Sequence, residues 1–419
     1  MKKWTKALIG NIELNKDLKL LLIIGGLYAL GIALSNTFVN VYIWKQSGEF
    51  IDIATYNLAA VILQPITFLL AGRLAKGLDR VIILRIGVSF LSVFYCTVLL
   101  LGENAGSYLL ILGGLLGIGM GFYWLSFNVL TFEITEPDTR DFFNGFLGLL
   151  TSFAGMVGPF SAGILITKID EVIGYRTIFA VSLGLFITAV VLSFFLEKRI
   201  SKGSFRFLDI LRERKHNRDW SRILFGQFFQ GFREGTFIFV ITVWIYVATG
   251  SEMALGTYGL IVSAVSFVVY YLAGRFIKPS FRKKSILIGG LGLYGAIFFI
   301  VNDLTFTRLI LYGITISISY PLLLVPFVSL TYDVIGSGRD AKERRVEYIV
   351  VRQIFLDIGR LVSVLSFIAT ITFFSEEKGI PILLLVLGLG HFIIYLFVRK
   401  VQSSVTNEHD AYSAVKKRW

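Results

Sequence analysis

The 419-residue chain has one cysteine and three histidines, so it cannot assemble a disulfide or an ordinary zinc site. Cys96 lies inside an apolar block, and the histidines lack metal-ligand spacing. No Gly-x4-Gly-Lys-Ser/Thr loop is present to cradle the phosphates of ATP. Charge is also scarce, at 16% of residues against about 25% in soluble domains. No nucleophile–base constellation stands out, and an enzyme is not expected. The net charge of +13 is not gathered on a basic surface with interleaved aromatics, so nucleic acid is excluded as a partner.

Apolar residues fill what is left. They make up 55% of the chain and arrive in runs such as Ile86–Leu101 and Ile382–Val398, without the spaced polar face of a surface helix. In a bilayer such runs are stable only as helices that satisfy their own backbone. Met1-Lys2-Lys3 has the charge of a signal peptide, but the run from Leu18 to Trp44 is far longer than a signal core. It is expected to be the first of twelve spans, at 18–44, 51–75, 81–101, 107–131, 145–168, 175–196, 221–248, 254–277, 285–302, 306–330, 347–374 and 380–398.

Lysine and arginine collect at alternate turns, in Met1–Lys19, Arg73–Arg80, Lys198–Arg222, Arg275–Lys284, Arg339–Arg345 and Arg399–Lys400. The opposite turns hold only Lys45, Lys168, Arg176, Arg308 and Lys378. The alternation predicts that both termini are cytoplasmic. The longest polar stretch then separates a six-span bundle at 1–196 from a second at 221–400. A linker at 197–220 and a tail at 401–419 complete the chain. Within the linker, Phe205–Arg214 is amphipathic and basic, which fits either a helix on the anionic inner leaflet or a solvated connection.

The two halves repeat one another. Thr55-Tyr56-Asn57-Leu58 returns as Thr257-Tyr258-Gly259-Leu260, and Leu130-Thr131-Phe132-Glu133-Ile134 as Leu330-Thr331-Tyr332-Asp333-Val334. Gly72-Arg73-Leu74-Ala75-Lys76 with Arg80 returns as Gly274-Arg275-Phe276-Ile277-Lys278 with Arg282. Two similarly oriented six-span units predict an all-α, alternating-access transporter.

On these residues the chain resembles the major facilitator superfamily along essentially its whole length, and within it the drug/proton antiporter-like branch. The family's loop after its second span usually reads Gly-x-Leu-Ala-Asp-Arg-x-Gly-Arg-Arg. Gly72, Leu74, Ala75 and Arg80 match, whereas Lys76 replaces the aspartate and Asp79 the second glycine. The family's aspartate locks the outward-facing state, a role open here to Asp79. Gly145, Ala154, Gly158, Pro159, Ala162 and Gly163 resemble the family's antiporter motif, with alanine for two glycines. The resemblance implies export in exchange for protons and a cavity lined by spans 1, 4, 7 and 10.

Charge in a bilayer is costly and usually functional. Spans 3, 6, 9 and 12 carry none in their apolar cores, and His391 is their one histidine, read as packing or hydrogen bonding. In span 7, Gln227, Gln230 and Glu234 share a face beside Arg233; in span 11, Gln353, Asp357 and Arg360 do the same. Either Glu234 or Asp357 carries a proton, or each pairs with its neighbouring arginine as a structural gate. An arginine left free would favour an anionic substrate. Asn36 and Asn40 in span 1, Trp124 and Asn128 in span 4 and Tyr320 in span 10 are further candidates for the cavity wall. Glu133 and Asp333 are expected as latches facing the basic loops.

Together these features predict a monomeric bacterial cell-membrane protein: a proton-coupled secondary transporter exporting small amphipathic compounds, with an ion gradient in place of any cofactor or metal. An uptake permease for a small metabolite or anion, and a non-transporting sensor or scaffold, stand as alternatives.

Overall fold

A backbone without water must close its hydrogen bonds internally, and the computed structural model, which describes residues 15–134, 137–199, 203–301, 303–341 and 343–402, contains only helices and their connections. The long helices are α1 (Lys16–Ser47), α2 (Phe50–Leu74), α3 (Arg80–Leu101), α4 (Leu109–Ile134), α5 (Pro137–Lys168) and α6 (Glu171–Ser193). After a short α7 (Phe207–Glu213) come α8 (Arg218–Thr249), α9 (Glu252–Phe276), α10 (Arg282–Val301), α11 (Phe306–Gly336), α12 (Arg345–Phe373) and α13 (Glu376–Val398). Among the described residues 11 stretches are long and apolar enough to cross a membrane, because α3 and α4 run on through a tight 3-10 segment as one stretch, Arg80–Thr131. The connection expected at 102–106 is thus itself helical. Residues 1–14, 200–202 and 403–419, which hold parts of the predicted basic termini and linker, lie outside the described set.

The repeat extends to the way helices start and stop. Asn15 opens α1 by accepting from Leu18 N at 2.8 Å, and Asn217 opens α8 by accepting from Trp220 N at 2.9 Å. Each side chain satisfies a donor that the first helical turn leaves without a partner. The same two helices end at Gly48 and Gly250, with φ of 71° and 60°, where a side chain would be strained.

Two compact units result. Unit 1 draws on Met1–Gly48, Leu63–Ser204 and Ser251–Leu260; unit 2 on Glu49–Ile62, Phe205–Gly250 and Ile261–Trp419. The starts of α2 and α9, equivalent in the repeat, are the parts that fall outside a simple division of the chain at the linker.

Inside each unit the same close approach recurs. A Cβ on Gly158 of α5 would stand 2.9 Å from the backbone of Ala33 and Leu34 in α1. A Cβ on Gly359 of α12 would run into the carbonyl of Phe228 and the backbone of Phe232 in α8. Small residues let these backbones touch, which is how helices gain packing energy where lipid removes most of the hydrophobic drive. The linker helix α7 is docked, not free. Its Ile210 is buried in the core of unit 2 with Trp220 and Tyr348, and its carbonyl accepts from Trp220 Nε1 at 3.2 Å. Leu208 is left on the outward face.

Candidate functional site

The approach of α12 to α8 assembles a polar centre in unit 2. One turn beyond Gly359, Thr236 and Ser363 hydrogen-bond through their hydroxyls at 2.8 Å, and Thr236 N donates to Ser363 Oγ at 3.1 Å. These contacts set the register that brings Arg360 opposite Glu234. Arg360 Nη2 lies 3.0 Å from Glu234 Oε2, and Nη1 lies 3.3 Å from Asp357 Oδ1. Glu234 Oε1 also accepts from Gln230 Nε2 at 2.9 Å and from the Tyr320 hydroxyl at 2.7 Å. Asp357 Oδ1 accepts from Gln353 Nε2 at 3.0 Å, whereas its Oδ2 is buried without a hydrogen-bond partner. Five predicted site residues, Gln230, Glu234, Gln353, Asp357 and Arg360, therefore form one network, and Tyr320 closes it from α11.

Arg233 does not belong to that network. Neighbouring helical positions point about 100° apart, and Arg233 turns away from Glu234. Its Nη2 donates to the Tyr312 hydroxyl at 3.0 Å, and its guanidinium sits 4.1 Å from the Phe237 ring centroid. No carboxylate pairs with it among the described residues, and its Nε is buried without a hydrogen-bond partner. The pairing of Arg233 with Glu234 weighed from sequence does not form; Arg360 takes that place.

His391 is fully buried in α13, and neither ring nitrogen has a hydrogen-bond partner. Of the two roles expected for it, packing or hydrogen bonding, its full burial fits packing. Its ring is 5.8 Å from that of Tyr320. The sequence holds little to reveal this, since His391 stands alone in an apolar helix.

In unit 1 the predicted cavity residues gather around aromatics. Tyr28 and Tyr123 stack with ring centroids 3.7 Å apart, and Trp124 meets Tyr28 edge-on at 5.3 Å. Trp124 is 37% exposed and Asn128 half-buried, on the same helix. In α1, Asn40 Nδ2 donates to the Asn36 carbonyl at 3.4 Å, and Asn36 Oδ1 is buried without a hydrogen-bond partner. Tyr28 was not singled out from the sequence, because a tyrosine in an apolar run reads as packing.

At the helix ends the repeat yields equivalent ion pairs, Arg80 with Glu133 at 2.8 Å and Arg282 with Asp333 at 2.7 Å. Partial burial pushes the Glu133 carboxyl up from its ordinary value, against the pull of Arg80 and Arg199. Asp79 caps α3 by accepting from Val81 N at 3.0 Å, and it also accepts from Arg199 N at 3.0 Å. Arg199 in turn pairs with Asp17 at 3.0 Å, a link with no sequence signal. Gly72 is buried, Arg73 and Gly274 are exposed and Lys76 is half-buried; Gly145 lies in α5, and the exposure of positions 145 and 275 lies outside what is described. Pro159 packs on Gly256 and Gly259, so the antiporter-like pattern is a helix-packing surface in unit 1. At the opposite end of α1, Lys45 bridges Glu171 at 2.6 Å and Glu252 at 2.7 Å.

Comparison with known proteins bears on this architecture. The Major Facilitator Superfamily profile matches residues 21–364. The chain is 59% identical over 397 residues to the uncharacterized protein YqgE of Bacillus subtilis (strain 168), covering 95% of this chain and 92% of that one. It is 58% identical over 198 residues to an uncharacterized Geobacillus stearothermophilus protein from the sodM 3' region, covering 47% of this chain and 92% of that one. Among solved structures, the human organic anion transporter MFSD10 superposes with a TM-score of 0.65 at 14% identity, covering 90% of this chain and 98% of that one. The Escherichia coli fucose:proton symporter FucP superposes with a TM-score of 0.60 at 15% identity, over 92% of this chain and 98% of that one. An all-helical multi-pass chain, duplicated and charged at its interior, is thus joined to a family of transporters by a profile that spans most of it: the chain belongs to the major facilitator superfamily.

Proposed function

We propose that the protein is a proton-coupled secondary active transporter of the bacterial cell membrane, working by alternating exposure of the unit 2 centre to the two sides. Both termini are cytoplasmic in this reading, which the alternation of basic turns supports. The Bacillus relative supports the bacterial source.

The observation that carries the coupling is the asymmetry of the two carboxylates. Glu234 has three donors on its two oxygens, whereas Asp357 is 1% exposed and its Oδ2 has none. An oxygen with neither solvent nor donor is where an arriving proton relieves most strain. Asp357 is therefore the proton carrier, and Glu234 is the standing counter-ion of Arg360. The equivalent pairs Arg80–Glu133 and Arg282–Asp333 act as latches at one end of each unit.

Export in exchange for protons rests on the resemblance of the Gly158–Pro159 pattern, and uptake with protons is the alternative. Reconstituted protein with an imposed pH gradient separates them. A solute gradient that drives proton movement in the opposite direction marks exchange; movement in the same direction marks uptake with protons. Solute transport indifferent to the pH gradient would remove proton coupling altogether.

A further inference from the structure

Charge balance in unit 2 singles out one group. Arg233 and Arg360 are cations at mid-helix, and Glu234 and Asp357 are carboxylates, so four ionised groups sum to zero. Both carboxylates, however, are committed to Arg360. Arg233 is 7% exposed and no described carboxylate pairs with it; it leans on the Tyr312 hydroxyl and the Phe237 ring. A guanidinium so placed has donors to spare, its buried Nε among them. On the α13 side, Gly390 brings the backbone close, with its Cβ position 3.3 Å from Arg233 Cβ, and the next residue is His391. Both nitrogens of that buried ring are without hydrogen-bond partners. Two independent sets of unused polar atoms, one of them cationic, thus stand on adjoining helices in a low-dielectric interior.

We infer that Arg233, Tyr312 and His391 form a seat for a monoanion, and that the transported substrate is an organic anion whose charged group docks there. The guanidinium supplies charge and directed N–H donors, the Tyr312 hydroxyl a further donor, and the imidazole an N–H. Phe237, beneath the guanidinium, holds it in plane by cation–π contact. A cation is disfavoured at this seat, because Arg233 repels it. The substrate class rests on the reading of unit 2 as the transport centre, whereas the seat itself does not depend on proton coupling.

The test uses the purified full-length protein in detergent, with no gradient. Thermal unfolding is followed with benzoate, nitrate or chloride at constant ionic strength, and with benzamide as a neutral match for benzoate. Saturable stabilisation by at least one monoanion and none by benzamide is expected. In Arg233→Gln the apparent affinity falls at least tenfold, and Arg233→Lys keeps part of it. His391→Gln and Tyr312→Phe, which leave the cation in place, weaken binding several-fold and serve if Arg233→Gln does not fold. The inference is overturned if no monoanion stabilises the protein, if benzamide matches benzoate, or if the Arg233 and His391 variants respond like the parent. Because no gradient is present, a failure here is distinct from a failure of proton coupling in vesicles.

Discussion

Arg360 and Glu234 stand 126 positions apart in the chain, yet Nη2 of one lies 3.0 Å from Oε2 of the other. The pairing depends on α8 and α12 touching backbone to backbone at Gly359, with Thr236 and Ser363 bonded one turn further on. Arg360 is thereby tied to two carboxylates at once, and Arg233 is left to other partners.

Arg360→Gln strands both carboxylates in a poorly solvated interior. It is expected to destabilise the protein by about 3–5 kcal/mol, the range for breaking a buried pair from one side. Glu234→Gln on top of it should recover part of the loss, because one uncompensated charge is removed. Unfolding of the two single variants and the double variant in detergent gives the coupling energy; strictly additive losses would show that the pair does not interact.

Gly359→Ala places a methyl group against the Phe228 carbonyl, and α12 must move away from α8. A loss of about 1–3 kcal/mol is expected from the overpacking, together with loss of transport as Arg360 is drawn off Glu234. Gly184→Ala is the control, since nothing lies within 4 Å of its Cβ position. Equal unfolding temperatures for the two variants would refute the close approach.

Asp357→Asn keeps shape and the Gln353 contact but cannot release a proton. In vesicles it should abolish gradient-driven accumulation while equilibrium exchange of substrate continues. Glu234→Gln should impair both, since Arg360 then loses its counter-ion. Accumulation by Asp357→Asn at the parent rate would move the coupling role elsewhere.

Lys45 holds Glu252, whose side chain is 11% exposed, and Glu171, which is 55% exposed. Lys45→Met should cost about 1.5–3 kcal/mol through the buried partner, as for hydrogen bonds to charged groups. Glu171→Gln should cost less than about 1 kcal/mol, as for a solvent-exposed pair. Unfolding temperatures at low and high salt check both, and only the Glu171 contribution should fade with salt.

Much of the fold is legible in the sequence alone. Runs such as Leu18–Trp44 could only be helices, because a bilayer offers a backbone no other partner. The in-register matches of Arg80 with Arg282 and Glu133 with Asp333 announced a duplication, and each unit closes the same ion pair. Helical spacing placed Gln230 beside Glu234 and Gln353 beside Asp357, since residues four apart share a face.

Only the tertiary structure decided which charges meet. Spacing along one helix relates neighbours within a turn or two, but Arg360 reaches Glu234 across a helix crossing set by Gly359 and Ser363. Arg233 of α8 turns toward Tyr312 of α11, and buried His391 of α13 lies near Tyr320 of α11, contacts between helices that no one-dimensional pattern encodes. Apolar periodicity determines that a segment is a helix in lipid, while the partner of a buried charge depends on the angle and register at which helices pack.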